Sequence, residues 1–340
     1  MGSKISDLLE GEEIEITQLK GKILAVDGFN ALYMFLTTIR GPDGSPLMDS
    51  KGNITSHIQG LLSRFLNYMQ QGLKFVFVFD GEAPELKSEE TKRRKELKEE
   101  ARKLYEKAKD TQNIENMKKY AARTVFLTPK MVEETKELLN HLGIPYVQAP
   151  SEGEAQAAYL VNKGDAYAVV SQDVDSLLNG AERVVKNLSI TGRRKLPGNL
   201  GYKNITPELI DLNKNLNELE LDIDELIKLA ILIGTDYNYG GIKGIGPKKG
   251  YKLIKNKGDD SFKEAKWNKH FEIDWQEIYD TIKHMPINTD YVLEWKQANI
   301  EQIKIFLEKR DFSEVRIDNI LKKIEEVNQN NKQKGLGEFF

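Results

Sequence analysis

Short apolar runs alternate along the first part of the chain with segments of helical spacing. The apolar runs predict strands at residues 22–26, 74–79, 146–148, 166–171 and 184–188. Leu, Phe, Tyr and Met recur at helical spacing in residues 30–40 and 54–71. Uninterrupted apolar strands separated by helices are typical of a parallel sheet that is covered on both faces. The pattern therefore predicts an α/β fold with a mostly parallel central sheet flanked by helices, and a mostly helical extension from about residue 206.

Two segments depart from this pattern. Residues 87–109 are almost continuously charged and offer hardly any apolar face. One interpretation is a solvated helix held by ion pairs between residues four apart. The other is functional, because Lys87 and Arg94 would share one helical face that stabilises a phosphodiester in its transition state. Residues 328–334 (NQNNKQK) are predicted to form a polar linker before the final GLGEFF.

Composition narrows the class of protein. The 340 residues suffice for two domains. Hydrophobic residues make up 39% of the chain and charged residues 30%, a composition that allows a sizeable core. A formal net charge of −3 restricts any nucleic-acid contact to local patches. The chain has no cysteine, which excludes disulfides, thiolate zinc sites, iron–sulfur clusters and cysteine nucleophiles. No apolar run is long enough for a membrane span and the acid-rich N-terminus lacks a signal-peptide pattern, so we expect a soluble, cytoplasmic protein.

Carboxylates follow three of the predicted strands. Asp27 and Asp80 come directly after apolar runs, and Asp173 and Asp175 come shortly after a third. Because the carboxyl ends of parallel strands line one crevice, these four side chains would converge and repel one another. A hard divalent cation would relieve the repulsion, since carboxylate oxygens bind Mg²⁺ and Mn²⁺ can replace it. The alternative is that Asp-Gly after a strand is ordinary turn chemistry.

Further acidic residues allow two interpretations each. Ser151 and Glu154 fit a capping box at the start of the helix EGEAQAAYLVNK, but that box explains neither Glu152 nor Gly153. The two glutamates would instead point into the crevice as additional metal ligands. Asp236 follows an apolar helix in GTDY, where a polar turn at the helix end is the alternative to a metal ligand.

A glycine-rich segment, GIKGIGPKKG at residues 241–250, leads into another helical pattern. Exposed backbone N–H groups at a helix N-terminus bind anions, and Lys243, Lys248 and Lys249 add positive charge. The segment is not a P-loop, because Pro247 stands where that motif needs lysine. We interpret it as a sequence-independent grip on a DNA backbone, and a plain tight turn is the alternative.

Six segments together resemble the flap endonucleases of the structure-specific 5′ nuclease superfamily. In family order they are VDGFNALYMFL, FVFDGEAPELK, APSEGEAQAAYL, SQDVDSLL, LIGTDYN and GIKGIGPKKG. The resemblance covers nearly the whole chain and implies a twisted sheet of the PIN-like 5′ nuclease fold, a helical arch and a helix-two-turn-helix extension. It also implies two-metal-ion hydrolysis of DNA at the base of 5′ flaps, with 5′→3′ exonuclease activity, in Okazaki fragment maturation and base excision repair.

The resemblance assigns roles to individual residues. The implied ligands of two Mg²⁺ ions are Asp27, Asp80, Glu152, Glu154, Asp173, Asp175 and Asp236. This gives Glu152 a function as a metal ligand, and Glu154 would both bind metal and cap the helix. The implied catalytic residues are Lys87, Arg94 and Tyr33, on which a base would stack. The implied DNA contacts, with a monovalent K⁺ at the helix-two-turn-helix, are Gly2, Arg40, Gly241, Lys243, Gly244, Gly246, Lys248 and Lys249.

The C-terminal tail resembles a docking box for a sliding clamp of the PCNA type. The box residues are Gln333, Leu336, Phe339 and Phe340. Three apolar side chains on a flexible linker would fill a pocket of the partner, although Gly335 and Gly337 raise the cost of ordering the box. The chain stops without the long basic tail of eukaryotic members. With the docking box present, this favours an archaeal origin. We also expect a monomer that is associated with the nucleoid.

The predicted regions follow the motifs. They are an N-terminal nuclease region (1–98), the rest of the arch (99–115), an internal nuclease region (116–258) with the helix-two-turn-helix at about 225–258, a C-terminal helical region (259–327), and the linker with the docking tail (328–340). Two other functions remain open. A related exonuclease or bubble-cutting nuclease would carry a longer arch insertion or a larger C-terminal domain. A non-catalytic, clamp-tethered DNA-binding module would not need seven carboxylates.

Overall fold

The structure is a computed structural model that describes residues 4–42, 44–111, 116, 120, 121, 124–188, 193–195 and 202–337. Its strands are β1 (Glu12–Glu13), β2 (Ile23–Asp27), β3 (Lys74–Phe79), β4 (Tyr146–Gln148), β5 (Ala168–Val170), β6 (Arg183–Lys186), β7 (Arg193–Lys195), β8 (Tyr202–Asn204) and β9 (Glu208–Asp211). Its helices are α1 (Gly28–Thr38), α2 (Ser56–Gln70), α3 (Ser88–Asp110), α4 (Pro129–Leu142), α5 (Gly153–Asn162), α6 (Asp175–Leu178), α7 (Leu212–Leu219), α8 (Ile223–Ile233), α9 (Pro247–Lys257), α10 (Asp260–Glu264), α11 (Trp275–Lys283), α12 (Ile300–Glu308) and α13 (Glu314–Gly337).

A seven-stranded sheet with the order β1-β9-β6-β5-β2-β3-β4 forms the centre of the fold. The five neighbours from β6 to β4 are parallel, and β9 pairs antiparallel with both β6 and β1. The predicted α/β fold with a mostly parallel sheet is therefore confirmed. The mostly helical extension after residue 206 is also confirmed, and it begins with the short strand β9, which pairing with β6 and not a local pattern makes a strand.

Both faces of the sheet are covered by helices, which explains the continuous apolar runs of its strands. Along β3 the side chains alternate between the two layers. Phe75, Phe77 and Phe79 face a cluster with α1, α2, α4, α12 and α13, whereas Val76 and Val78 face a cluster with α5, α6, α8, α9 and α11. A β3 strand with one solvent-exposed face would have shown polar residues at every second position.

An extended segment, residues 285–299, connects the two helical layers. Asn288 exchanges two hydrogen bonds with Gln156 of α5, at 2.6 and 2.9 Å. Farther along, Trp295 Nε1 donates to Phe75 O at 2.9 Å and Lys296 N donates to Gly143 O at 2.9 Å. The segment thus passes the β4 edge of the sheet and returns the chain to the layer that contains α12 and α13.

The C-terminal helix differs from the expected linker. Helix α13 continues to Gly337, so the backbone of residues 328–334 is helical. The segment contains no proline, and its Gln and Lys residues are good helix formers that extend a helix already docked through Ile317 and Ile324. No helix within the described ranges is both long and apolar enough to cross a membrane. The predicted region boundaries stay predictions.

Candidate active site

The seven predicted carboxylates line one open cavity of about 760 Å³ at the carboxyl end of the parallel strands. They are Asp27, Asp80, Glu152, Glu154, Asp173, Asp175 and Asp236. Tyr33, Lys87 and Arg94 line the same cavity, and α3 forms one of its walls. The structure therefore brings together every residue predicted to bind metal or to act in catalysis.

Asp27 is fixed at the junction of β2 and α1. It is the last residue of β2 and the N-cap of α1, where its Oδ1 accepts a hydrogen bond from Asn30 N at 2.9 Å. Its Oδ2 accepts from Ser171 Oγ at 3.3 Å. Asn30 Nδ2 also donates to Asp173 Oδ2 at 3.1 Å, so one amide side chain orients a carboxylate that comes from a different strand. Asn30 was not among the predicted site residues, although its position three residues after Asp27 was a local signal.

Gly153 allows Asp80 to approach the start of α5. Gly153 N donates to Asp80 Oδ1 at 2.7 Å. A Cβ at position 153 would lie only 2.5 Å from the same oxygen, so a larger residue would displace the carboxylate. This contact explains the glycine that the capping-box interpretation left unexplained.

The capping-box interpretation of the start of α5, one of the two offered for Ser151 and Glu154, is wrong. The N-cap residue is Glu152, without a capping hydrogen bond from its side chain, and Ser151 lies outside the helix. Ser151 Oγ donates to Glu82 O at 3.0 Å, which holds the loop after β3 against the start of α5. Glu154 is thereby left to face the cavity.

Burial and neighbouring carboxylates raise the pKa of Asp27, Asp80 and Glu154. Burial, followed by the charge of Asp80, raises the pKa of Asp27 to about 7. Burial and the charge of Glu152 raise the pKa of Asp80 to about 6. Burial and the charge of Asp175 raise the pKa of Glu154 well above its usual value. Such a set of repelling oxygen ligands fits a hard divalent cation, which would stabilise the ionised forms.

Two basic side chains form ion pairs with the carboxylates of the cavity. Lys87 Nζ lies 2.5 Å from Glu152 Oε2 and 3.2 Å from Asp236 Oδ2. Burial alone would lower the pKa of Lys87, but the nearby carboxylates outweigh this effect and raise it. Arg94 Nη2 lies 2.5 Å from Asp236 Oδ1. Among the described residues, no three potential ligands lie close enough together to coordinate one metal ion directly. Lys87 and Arg94 neutralise part of the acidic charge in this arrangement.

Lys98 covers the ring of Tyr33. Its Nζ lies 4.7 Å from the centroid of the Tyr33 ring and 5.0 Å from that of Phe126. Lys98 Nζ also donates to Tyr33 Oη at 3.3 Å. A base that stacks on Tyr33 would meet this ammonium group first. Lys98 belongs to the charged run, and nothing in the sequence distinguished it from its neighbours.

Arg40 supports a turn after α1. Its Nη1 donates to Gly44 O at 2.8 Å and its Nε donates to Thr37 O at 3.2 Å. Burial lowers the pKa of its guanidinium. The structure thus gives Arg40 a structural contact, and its predicted contact with DNA stays a prediction. Gly2 lies outside the described residues.

The glycine-rich segment forms an exposed turn between α8 and α9. Its exposed residues are Lys243, Gly244, Gly246, Lys248 and Lys249. Gly241 has a φ of +63°, and a Cβ there would lie 2.2 Å from the carbonyl carbon of Ile233. Gly241 is therefore required by the turn itself. Gly244 borders open space, but its φ of +84° also favours glycine, whereas Gly246 has neither constraint. The arrangement fits a phosphate-binding surface, and that role stays a prediction.

The structure does not test the docking box. Gln333 and Leu336 lie on the backbone of α13, and their side chains are not described. Phe339 and Phe340 lie outside the described residues.

The chain is similar to curated proteins along its whole length and matches two family descriptions over parts of it. The family descriptions "XPG N-terminal domain" and "XPG I-region" match residues 5–101 and 143–236. Flap endonuclease 1 of Pyrococcus furiosus is 48% identical over 341 residues, which cover 100% of this chain and 99% of that protein. Flap endonuclease 1 of Staphylothermus marinus is 45% identical over 350 residues, which cover 100% of both chains.

Solved structures with the same fold include two nucleases. Flap endonuclease-1 from Methanococcus jannaschii superimposes with a TM-score of 0.76 at 42% identity, covering 97% of this chain and 100% of that chain. The catalytic core of Rad2 in complex with DNA substrate has a TM-score of 0.69 at 25% identity, covering 95% of this chain and 100% of that chain.

Proposed function

The chain belongs to the flap endonuclease family of metal-dependent, DNA-hydrolysing nucleases, and we propose that it cuts branched DNA at the base of 5′ flaps. The observation that carries this proposal is the convergence of seven carboxylates in one cavity beside α3. A 5′→3′ exonuclease activity on DNA ends would use the same site. The activity would serve Okazaki fragment maturation and base excision repair.

We propose that the carboxylates hold two Mg²⁺ ions, with Mn²⁺ as a substitute. Ions bound there would generate a hydroxide-like nucleophile and neutralise charge on the leaving oxygen. Asn30 would keep Asp27 and Asp173 in place, since it contacts both. Asp236 differs from the other six in that both Lys87 and Arg94 contact it, so its link to metal would run through water.

We propose that Lys87 and Arg94 neutralise the scissile phosphate. Both cations already lie in the cavity, where their partners are carboxylates. A phosphodiester that enters would offer an alternative anion, and each cation would exchange one partner for the other. The ring of Tyr33 would stack on a base next to the scissile bond once Lys98 moves aside.

The grip on duplex DNA would lie outside the cavity. We propose that the turn at residues 241–250, with its three exposed lysines, contacts the DNA backbone without reading sequence and holds a K⁺ ion. Arg40 and Gly2 would add contacts to the same substrate. A monomer would suffice for this arrangement, and we place the protein in the cytoplasm at the nucleoid.

A 5′-labelled double-flap DNA tests the proposed function. With Mg²⁺ we expect one main product, cut near the base of the flap, and no product with EDTA. Release of mononucleotides alone would identify a pure exonuclease and contradict the flap specificity. Tight binding without any cleavage would contradict the nuclease assignment.

The docking box yields a separate prediction. We propose that Gln333, Leu336, Phe339 and Phe340 bind a sliding clamp of the PCNA type. Deletion of residues 333–340 is expected to leave the basal cleavage rate within twofold of the full chain, because it removes no predicted catalytic or metal-binding residue, and to abolish stimulation by the clamp. Stimulation that persists in the deleted protein would reject the docking role. Deletion of residues 338–340 alone, which removes both phenylalanines, is the narrower variant.

A further inference from the structure

An exposed tyrosine lies against the start of α3. Tyr239 is 56% exposed and belongs to the loop that connects Asp236 with the glycine-rich turn. The guanidinium carbon of Arg93, in the second turn of α3, lies 3.5 Å from the centroid of the Tyr239 ring. A guanidinium at this distance makes a cation–π contact. Neither residue has a role in the function proposed above.

A buried carboxylate connects this contact to Arg94. Glu90 is 5% exposed and accepts hydrogen bonds from Arg93 Nε at 2.6 Å and Arg93 Nη2 at 2.8 Å. It also accepts from Arg94 Nε at 2.7 Å. Because both arginines satisfy the same carboxylate, a movement of Arg93 disturbs the partner of Arg94. We call Glu90, Arg93, Arg94, Asp236 and Tyr239 the arch-base cluster.

The arch-base cluster is important because α3 has little apolar packing. In this 23-residue helix the buried residues are Glu90, Ala101 and Ala108. Helices of this kind depend on tertiary contacts for their order. Two contacts hold the first turns of α3: the ion pair of Arg94 with Asp236, and the cation–π contact of Arg93 with Tyr239. Asp236 and Tyr239 belong to the same loop.

We propose that Tyr239 is a positioning residue for Arg94. Its ring holds Arg93, Arg93 and Arg94 share Glu90, and Arg94 is thereby kept in the cavity. The loop that carries Tyr239 runs directly into the turn at residues 241–250. DNA held at that turn would therefore fix the base of α3 and the cation that meets the scissile phosphate. The part of this proposal that concerns the order of α3 does not depend on the proposed function. The part that concerns cleavage rests on the proposed function.

Hydrogen exchange of the full, DNA-free chain tests the first part of this proposal. Tyr239→Ala is expected to speed amide exchange in residues 88–98 about fivefold, because the cation–π contact is lost. Tyr239→Phe keeps the ring and should stay within twofold of the unaltered protein. Lys92→Ala, an exposed change on the same helix, is the matched control and should also stay within twofold. Unchanged exchange in Tyr239→Ala would overturn the proposal.

Cleavage of double-flap DNA tests the second part. At saturating Mg²⁺, Tyr239→Ala should lower the single-turnover rate about fivefold, with the dissociation constant for DNA, measured with Ca²⁺, unchanged. The double variant Arg93→Ala/Tyr239→Ala should be no slower than Arg93→Ala alone, since both changes break one contact. Weaker DNA binding with an unchanged rate would make Tyr239 a DNA contact and reject the positioning role. If the unaltered protein fails to cut, the proposed function fails, and hydrogen exchange still decides the role of Tyr239 in α3.

Discussion

Replacement of Asp173 by asparagine is expected to slow single-turnover cleavage of flap DNA about 1000-fold at saturating Mg²⁺. The amide keeps the shape of the side chain but removes its charge and one strong metal-binding oxygen. A thousandfold loss corresponds to about 4 kcal/mol of transition-state stabilisation, which is within the contribution of a metal site. DNA affinity, measured by fluorescence anisotropy with Ca²⁺, should change less than threefold, because the backbone grip lies outside the cavity.

The control for Asp173 is an acidic residue that does not line the cavity. Glu133 on α4 has a side chain that is 70% exposed and pairs with Lys136. Glu133→Gln removes the same amount of charge and should leave both the rate and the affinity unchanged. Cleavage by Asp173→Asn at a rate close to that of the unaltered protein would contradict the assignment of Asp173 to the metal site.

Replacement of Lys87 by methionine is expected to have opposite effects on cleavage and on metal binding. The single-turnover rate should fall about 100-fold, since one preorganised cation at the scissile phosphate is lost. In the DNA-free protein, the affinity for Mn²⁺ should rise about fivefold, because the ammonium group no longer competes for Glu152 and Asp236. A purely structural role of Lys87 would weaken both properties together.

Calorimetric titration of Mn²⁺ into the DNA-free protein measures the second effect without any cleavage. Lys92→Met is the matched control, because Lys92 is an exposed neighbour on the same charged segment. It should alter neither the rate nor the affinity. An unchanged Mn²⁺ affinity in Lys87→Met would show that the contacts of Lys87 with the carboxylates do not oppose metal binding.

The sheet and the four aspartates that follow its strands were predictable because their signals are local. The runs at β2 and β3 are continuously apolar since both of their faces are buried, and strands of this kind belong to parallel sheets. Asp27 and Asp80 directly follow these runs. The topology then brings the strand ends to one edge, so the pattern alone grouped the aspartates. The glutamates and Asp236 needed the family resemblance, because their local sequences fit helix ends equally well.

The contacts that orient the site were not predictable, because they join distant parts of the chain. Arg94 and Asp236 are 142 residues apart, and Asn30 and Asp173 are 143 apart. No spacing rule connects such pairs, and within the charged segment Glu90 resembles every other acid. Strand β9 was missed for the same reason, since its partner strand and not its composition makes it a strand.

The position of β2 between β3 and β5 has a consequence for folding. Asp27 and its partner Ser171 are separated by 144 residues, so the central pairing closes a long loop. Contacts of such high sequence separation slow folding, because chain entropy is lost on loop closure before the paired strands contribute any favourable free energy. During synthesis from the N-terminus, β2 and β3 emerge long before β5 and leave one apolar strand edge without its neighbour. Asp173 and Asp175 join the carboxylates at the ends of β2 and β3 only when β5 docks. A nascent chain therefore has no complete nuclease site until more than half of it has been made.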